Sequence, residues 1–150
     1  MPSPPTHPRS TLPAGVPQRP RYAPGMSNLV DITESPLLAL WGETVRGRRI
    51  EGERLTLCVV ELAPNAVVPE HRHENEQLGM VITGEVDFTV DGETRHLGPG
   101  GTWRCLSNAP HNVNAGPDGA VVLDIFTPTR DDWDDRPIVE GAVPRWPAER

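Results

Sequence analysis

Between residues 55 and 126 the chain alternates apolar and polar positions in short runs, each closed by turn-forming residues. Leu55-Thr56-Leu57-Cys58-Val59-Val60-Glu61-Leu62 is rich in aliphatic and β-branched side chains and stops at Ala63-Pro64-Asn65. Residues 77–83 read as a strand ending at Gly84, and residues 85–90 alternate up to the hairpin signal Asp91-Gly92. A short strand over residues 93–97 is stopped by Gly98-Pro99-Gly100-Gly101, and residues 102–106 precede a turn over Ser107-Asn108-Ala109-Pro110. Residues 120–126 form a last strongly apolar strand, broken at Pro128. Helical periodicity is scarce: only residues 35–41 and 131–133 offer a turn or two. Many short, evenly spaced strands predict an all-β sandwich or barrel.

One polar stretch carries the chemistry. Along Glu70-His71-Arg72-His73-Glu74-Asn75-Glu76-Gln77, an extended backbone places residues 71, 73, 75 and 77 on one face. Two imidazoles and the Gln77 amide then converge, while Arg72 and Glu76 face away. His111 follows the Asn108–Pro110 turn, which can swing it back toward them. Three histidines and one oxygen donor suit a divalent transition metal such as nickel, iron, zinc or manganese. Glu76 offers a competing carboxylate, though strand parity turns it outward unless a bulge intervenes.

Composition narrows the remaining classes. Residues 1–25 hold 8 of the 18 prolines, three arginines (Arg9, Arg19, Arg21) and no acidic residue, so they read as a disordered Pro-rich extension. Met26 follows directly and offers an alternative start. Residues 26–136 are expected to form the barrel and 137–150, with Pro137, Pro144 and Pro147, an irregular tail. The whole chain carries 14 basic and 21 acidic side chains; residues 26–150 keep 11 and 21, a net charge of −10. So acidic a domain repels nucleic acid and anionic membranes. All 14 basic residues are arginine, which excludes Schiff-base lysine chemistry and a P-loop lysine. No apolar run is long enough for a secretory signal or a membrane span. Cys58 and Cys105 form no Cys-x-x-Cys motif and read as buried free thiols in a cytoplasmic protein.

Two blocks resemble the paired motifs of the cupin superfamily. The first is His71-x-His73, three residues, Gln77, six residues, Gly84; the second is Gly92, six residues, Pro99-Gly100-Gly101, then Pro110-His111. The resemblance implies a double-stranded β-helix, a jelly-roll variant, with a metal at one mouth and a homodimer as the assembly. It assigns the ligands to His71, His73, Gln77 (where the family usually has Glu) and His111. A neutral amide there leaves the site one charge more positive than a carboxylate would, which weakens metal affinity and favours an anionic substrate.

A narrower likeness comes from Gln77-Leu78-Gly79-Met80-Val81 and the run from Asp124 to Trp133. Both resemble the pectin-degradation protein family, whose members open 4,5-unsaturated uronates to linear keto sugars. Asp124, Phe126 and Arg130 fit that family's Asp-x-Phe-x-x-x-Arg strand end. The implied roles are an acid/base carboxylate, a ring-stacking aromatic and a guanidinium that grips a substrate carboxylate in a two-pronged pair. A local Asp124–Arg130 salt bridge is the structural alternative. Trp103 and Arg104 point oppositely, and whichever enters the cavity contacts substrate. Trp41 is read as core or dimer packing, His96 as surface, and Asp131–Asp135 as a solvated acidic cap. The expected function is a metal-dependent enzyme acting on a small anionic, oxygen-rich molecule, with an unsaturated uronate as the leading substrate. A polyketide cyclase, an Fe(II) dioxygenase and a non-catalytic small-molecule-binding barrel are the alternatives.

Overall fold

A computed structural model describes residues 27–147; the expectation of a disordered segment over residues 1–25 lies outside them. Among the described residues eight strands build the fold: β1 (Leu38–Trp41), β2 (Val45–Glu51), β3 (Thr56–Leu62), β4 (Val67–His71), β5 (Glu76–Val90), β6 (Glu93–Leu97), β7 (Thr102–Cys105) and β8 (His111–Thr127). All named strand pairs are antiparallel, in the order β1-β2-β3-β8-β5-β6, with β4 added to β8 and β7 to β5. Short 3-10 turns occupy Ile32–Glu34 and Asp131–Trp133. No helix among the described residues is long and apolar enough to cross a membrane.

The two long strands make the barrel. The residue 120–126 half of β8 pairs with β3, and its residue 111–114 half pairs with β4, while β5 runs alongside both halves. β5 in turn takes β7 along residues 77–80 and β6 along residues 86–90. Each long strand thus changes partners between its two halves within one eight-stranded sheet, as the double-stranded β-helix expected requires. The change in β5 falls where register shifts at Val81/Thr83 and Gly84/Val86. Gly84 has φ 77°, and a β-carbon on it would run into the Gly119 backbone, so only glycine turns this corner.

Several boundaries differ from the sequence expectation. Gly84 is a corner inside one strand rather than a strand end. Residues 38–41 are extended, not helical, because Leu38 and Ala39 pair with β2 and the Ala39 amide donates to Pro137 O at 2.9 Å. β8 begins at His111 rather than Ala120: Asn112, Asn114 and Gly116 resemble a loop, but β4 and β5 supply partners along the strand's first residues. Asp91-Gly92 does form the tight hairpin, with φ of 49° and 80°.

Inside the barrel Leu40, Val45, Cys58, Val60, Leu62, Val81, Val86, Cys105 and Val122 form the buried core, and both cysteines are free. Each fully buried Val or Leu contributes about 1.5–3 kcal/mol by leaving water. Residues 137–147 contain no named strand or helix, yet they are tied to the barrel. The Val139 amide donates to Leu37 O at 2.8 Å, and the Arg145 amide donates to Glu61 Oε1 at 2.9 Å. Glu61, 2 % exposed, also pairs with Arg46 at 3.2 Å and Arg48 at 3.3 Å, so its buried charge is compensated on several sides.

Candidate metal centre

His71 ends β4, His73 lies in the turn after it, and His111 opens β8. The extended run expected from His71 to Gln77 is interrupted at residues 72–75, yet exposure still alternates: 71, 73, 75 and 77 turn inward, and Arg72, Glu74 and Glu76 outward. Because His71 pairs directly with His111 across the β4–β8 ladder, two imidazoles start as neighbours. One nitrogen from each of the three rings lies within 4.8 Å of the others.

The tautomers are set by the backbone. His71 Nδ1 lies 2.8 Å from Pro69 O, His73 Nδ1 2.8 Å from Asn75 O, and His111 Nδ1 2.8 Å from Ala109 O. A carbonyl only accepts, so each Nδ1 carries the proton and each Nε2 presents its lone pair. Carbonyls in this position orient metal-binding imidazoles and fix their tautomer. His111 Nε2 is buried without a hydrogen-bond partner among the described residues. Desolvation, with further lowering by the Arg130 charge, holds all three imidazoles below the usual histidine range, His73 at about 4. They are therefore neutral near pH 7, as metal binding requires.

Gln77 supplies the oxygen. It is 6 % exposed, and its Nε2 donates to Asp124 Oδ1 at 2.8 Å, which turns Oε1 toward the histidines. Oε1 lies 3.2 Å from His73 Nε2. With Nδ1 protonated, both of these atoms are acceptors, and two acceptors facing each other need a proton or a cation between them. Together with the orphaned His111 nitrogen, this donor set fits a divalent transition metal held by His71, His73, Gln77 and His111.

The segment that carries these donors, residues 58–126, matches the family model for the cupin domain. Over 80 residues the sequence is 30 % identical to the pectin degradation protein KdgF of Dickeya dadantii (strain 3937), spanning 53 % of this chain and 73 % of that protein. The chain belongs to the cupin family. Among solved structures, KdgF from Halomonas sp. superposes with a TM-score of 0.65 at 25 % identity, covering 71 % of this cupin and 98 % of that chain. An RmlC-like cupin from Shewanella frigidimarina NCIMB 400 gives a TM-score of 0.66 at 20 % identity, over 71 % and 96 % of the two chains, and speaks to the fold alone.

Beside the donors this cupin buries a carboxylate. Asp124, 6 % exposed, receives Gln77 Nε2 and, at 2.9 Å, Trp103 Nε1, both on Oδ1. Oδ2 has no hydrogen bond from a described residue. Desolvation raises the Asp124 carboxyl to about 6 despite the opposing pull of those two donors and of Arg130. β5 places Gly79 directly between Trp103 on β7 and Asp124 on β8. A β-carbon there would collide with both side chains.

Between Trp103 and Arg104 the parity question has a plain answer. Trp103 is 7 % exposed, faces the cavity and stacks on Phe88 with ring centroids 4.4 Å apart, whereas Arg104 points to the outer face. Arg104 therefore does not reach this cavity, and its expected substrate contact is withdrawn. Phe126, 3 % exposed, packs edge-on against His73 and Trp133 at 5.8 and 5.1 Å. A ring so enclosed is part of the cavity wall.

Arg130 also lines the cavity, but its partner is Asp132 rather than Asp124. Its Nε and Nη2 donate to Asp132 Oδ1 and Oδ2 at 2.9 and 2.8 Å, and its guanidinium lies 4.8 Å from the Phe126 ring centre and 4.2 Å from that of Trp133. One prong, Nη1, is left for a substrate oxygen, so the two-pronged grip expected for Arg130 is already taken by Asp132. The acidic run is thus more than a solvated cap: Asp132 and Asp134 hold Arg130 and Arg49. Asn75 donates to Pro128 O at 2.6 Å and Thr129 O at 3.3 Å, tying the His73 turn to the Arg130 loop. Sequence reasoning turned Asn75 inward without assigning its bonds, and it missed the roles of Asp132 and Trp133, to which only their closeness to Arg130 pointed.

Proposed function

We propose that this cupin is a metal-dependent enzyme that opens a small carboxylated ring, a 4,5-unsaturated uronate, to a linear keto sugar. The observation that carries the reading is the inward convergence of three Nε2 lone pairs and the Gln77 amide oxygen beside a buried acid/base carboxylate. The likeness to pectin degradation protein KdgF supports the substrate class. His71, His73, Gln77 and His111 would hold the metal, which when bound supplies Lewis acidity to a substrate oxygen.

This chain's own residues do the rest. Asp124 Oδ2 takes the proton from the anomeric hydroxyl as the bond between the anomeric carbon and the ring oxygen breaks. The same carboxyl returns that proton to the alkene carbon, so the enol becomes a ketone and substrate and product have the same composition. Gln77 and Trp103 fix Asp124 through Oδ1, which keeps Oδ2 aimed at the substrate. Arg130 Nη1 pairs with the uronate carboxylate and leaves the two-pronged contact with Asp132 in place. Trp103, Phe126 and Phe88 keep water from the reacting bond.

The reading further takes the active protein to be a cytoplasmic homodimer. Its test is incubation of metal-loaded protein with 4,5-unsaturated galacturonate, following loss of the enol-ether ultraviolet absorbance. Turnover that vanishes in Asp124→Asn is expected; substrate persisting at the uncatalysed rate would refute the assignment.

A further inference from the structure

We propose that Trp41 is the outer wall of the substrate site, a platform on which one face of a ring-shaped carboxylate packs. Five aromatic residues line the cavity besides its histidines. Four are sealed in: Phe126 is 3 % exposed, Phe88 6 %, Trp133 6 % and Trp103 7 %, whereas Trp41 is 37 % exposed. A molecule arriving from solvent therefore meets the Trp41 indole first.

The position of the ring makes that meeting productive. Trp41 ends β1 just before a tight turn at Gly42, which has φ 62°, and its ring centre lies 4.9 Å from that of His71 at a tilt of 54°. The indole thus stands beside one of the candidate metal ligands and lines the cavity. A cavity of about 60 Å³ holds on the order of four water-sized groups. A hexuronate has more non-hydrogen atoms than that, so only the carboxylate and reacting end fit inside. The remainder of the ring must lie at the mouth, where an indole offers an apolar face to its C–H bonds. β1 lies outside the segment matched by the family model, residues 58–126, so this wall is supplied by a separate part of the chain.

The inference deepens the uronate reading and rests on it for the ligand class, but it is tested by binding rather than turnover. Metal-loaded full-length protein is titrated calorimetrically with D-galacturonate, a saturated ring that does not react, and with D-glycerate, an acyclic hydroxycarboxylate. Wild type is expected to bind both. Trp41→Ala should weaken galacturonate about tenfold, the ratio set by an aromatic stacking contact. Its glycerate affinity and metal content should stay within twofold, and Trp41→Phe should recover most of the loss.

Equal weakening for both probes, or loss of metal, would assign Trp41 to supporting His71 and overturn the proposal. Unchanged galacturonate binding in Trp41→Ala, or none in wild type, would overturn it as well. Turnover of the unsaturated uronate separates the two ideas. Turnover with no Trp41 effect on galacturonate removes the platform and keeps the enzyme; a Trp41 effect without turnover does the reverse.

Discussion

Replacing Gly79 by alanine tests the packing that aims Asp124. Gly79 is flanked in register by Trp103 on one side and Asp124 on the other, and its ideal β-carbon would collide with Trp103 Nε1 and Asp124 Oδ1. Those two atoms are joined by a 2.9 Å hydrogen bond, so the new methyl falls on the bond itself. The backbone cannot retreat without breaking one of two ladders, so the indole or the carboxylate must swing away. Losing a hydrogen bond to a buried charged group costs about 1.5–3 kcal/mol, and overpacking adds about 1–3. We expect Gly79→Ala to lower stability by about 3–5 kcal/mol, a large part of the total for a domain of this size. The assay is urea denaturation, compared with Gly98→Ala, where a β-carbon meets nothing within 4 Å and the change should be under about 0.5 kcal/mol. Equal midpoints for the two variants would refute the reasoning, because the inner face would then have slack the structure does not show.

Four further outcomes follow from the same geometry. Glu61→Gln removes the carboxylate that pairs with Arg46 and Arg48 and should cost about 3 kcal/mol in urea denaturation; a change under 1 would mean the arginines find other partners. Gln77→Glu should tighten metal binding in a chelator competition, since a carboxylate replaces an amide, while slowing any turnover because two carboxylates then adjoin at Asp124; weaker metal binding would remove Gln77 from the ligand set. Asp124→Asn should abolish turnover with metal content unchanged, and a parallel loss of metal would make Asp124 a ligand instead. The Arg130 hydrogen bonds hold the Asp132 carboxyl below its usual range, so its contribution is present above the unfolded carboxylate pKa and fades as pH falls through the lower folded one. Asp132→Asn should therefore flatten the acid limb of thermal stability, and an unchanged limb would show that the pair contributes nothing.

What the sequence revealed, and what it hid, divides along local and non-local lines. His71, His73 and Gln77 were legible because parity is a local property that survives even the break at residues 72–75. The Asp91-Gly92 turn was legible for the same reason. β2 was not, because its Arg46 and Arg48 look like loop polarity until Glu61, a strand away, supplies their partner. The first half of β8 was hidden likewise, since its Asn and Gly residues are held extended by pairing with β4 and β5. Arg130 was found through the resemblance of the Asp124–Arg130 run to the pectin-degradation family, but its partner Asp132 depends on how the chain folds back after Phe126. Trp41 was read as core or dimer packing because nothing in its neighbourhood predicts that β1 ends beside His71.

The metal is the centre of the proposed chemistry. Tag-free protein purified without added metal, then stripped and offered nickel, iron, zinc and manganese in turn, should be weighed for metal by elemental mass spectrometry. One equivalent per chain of at least one of these ions, lost in His111→Ala, is the predicted result, because the orphaned His111 Nε2 and the facing His73 and Gln77 acceptors need a cation. Protein that stays metal-free after every offer would contradict the account and leave a binding barrel with three neutral histidines at its mouth.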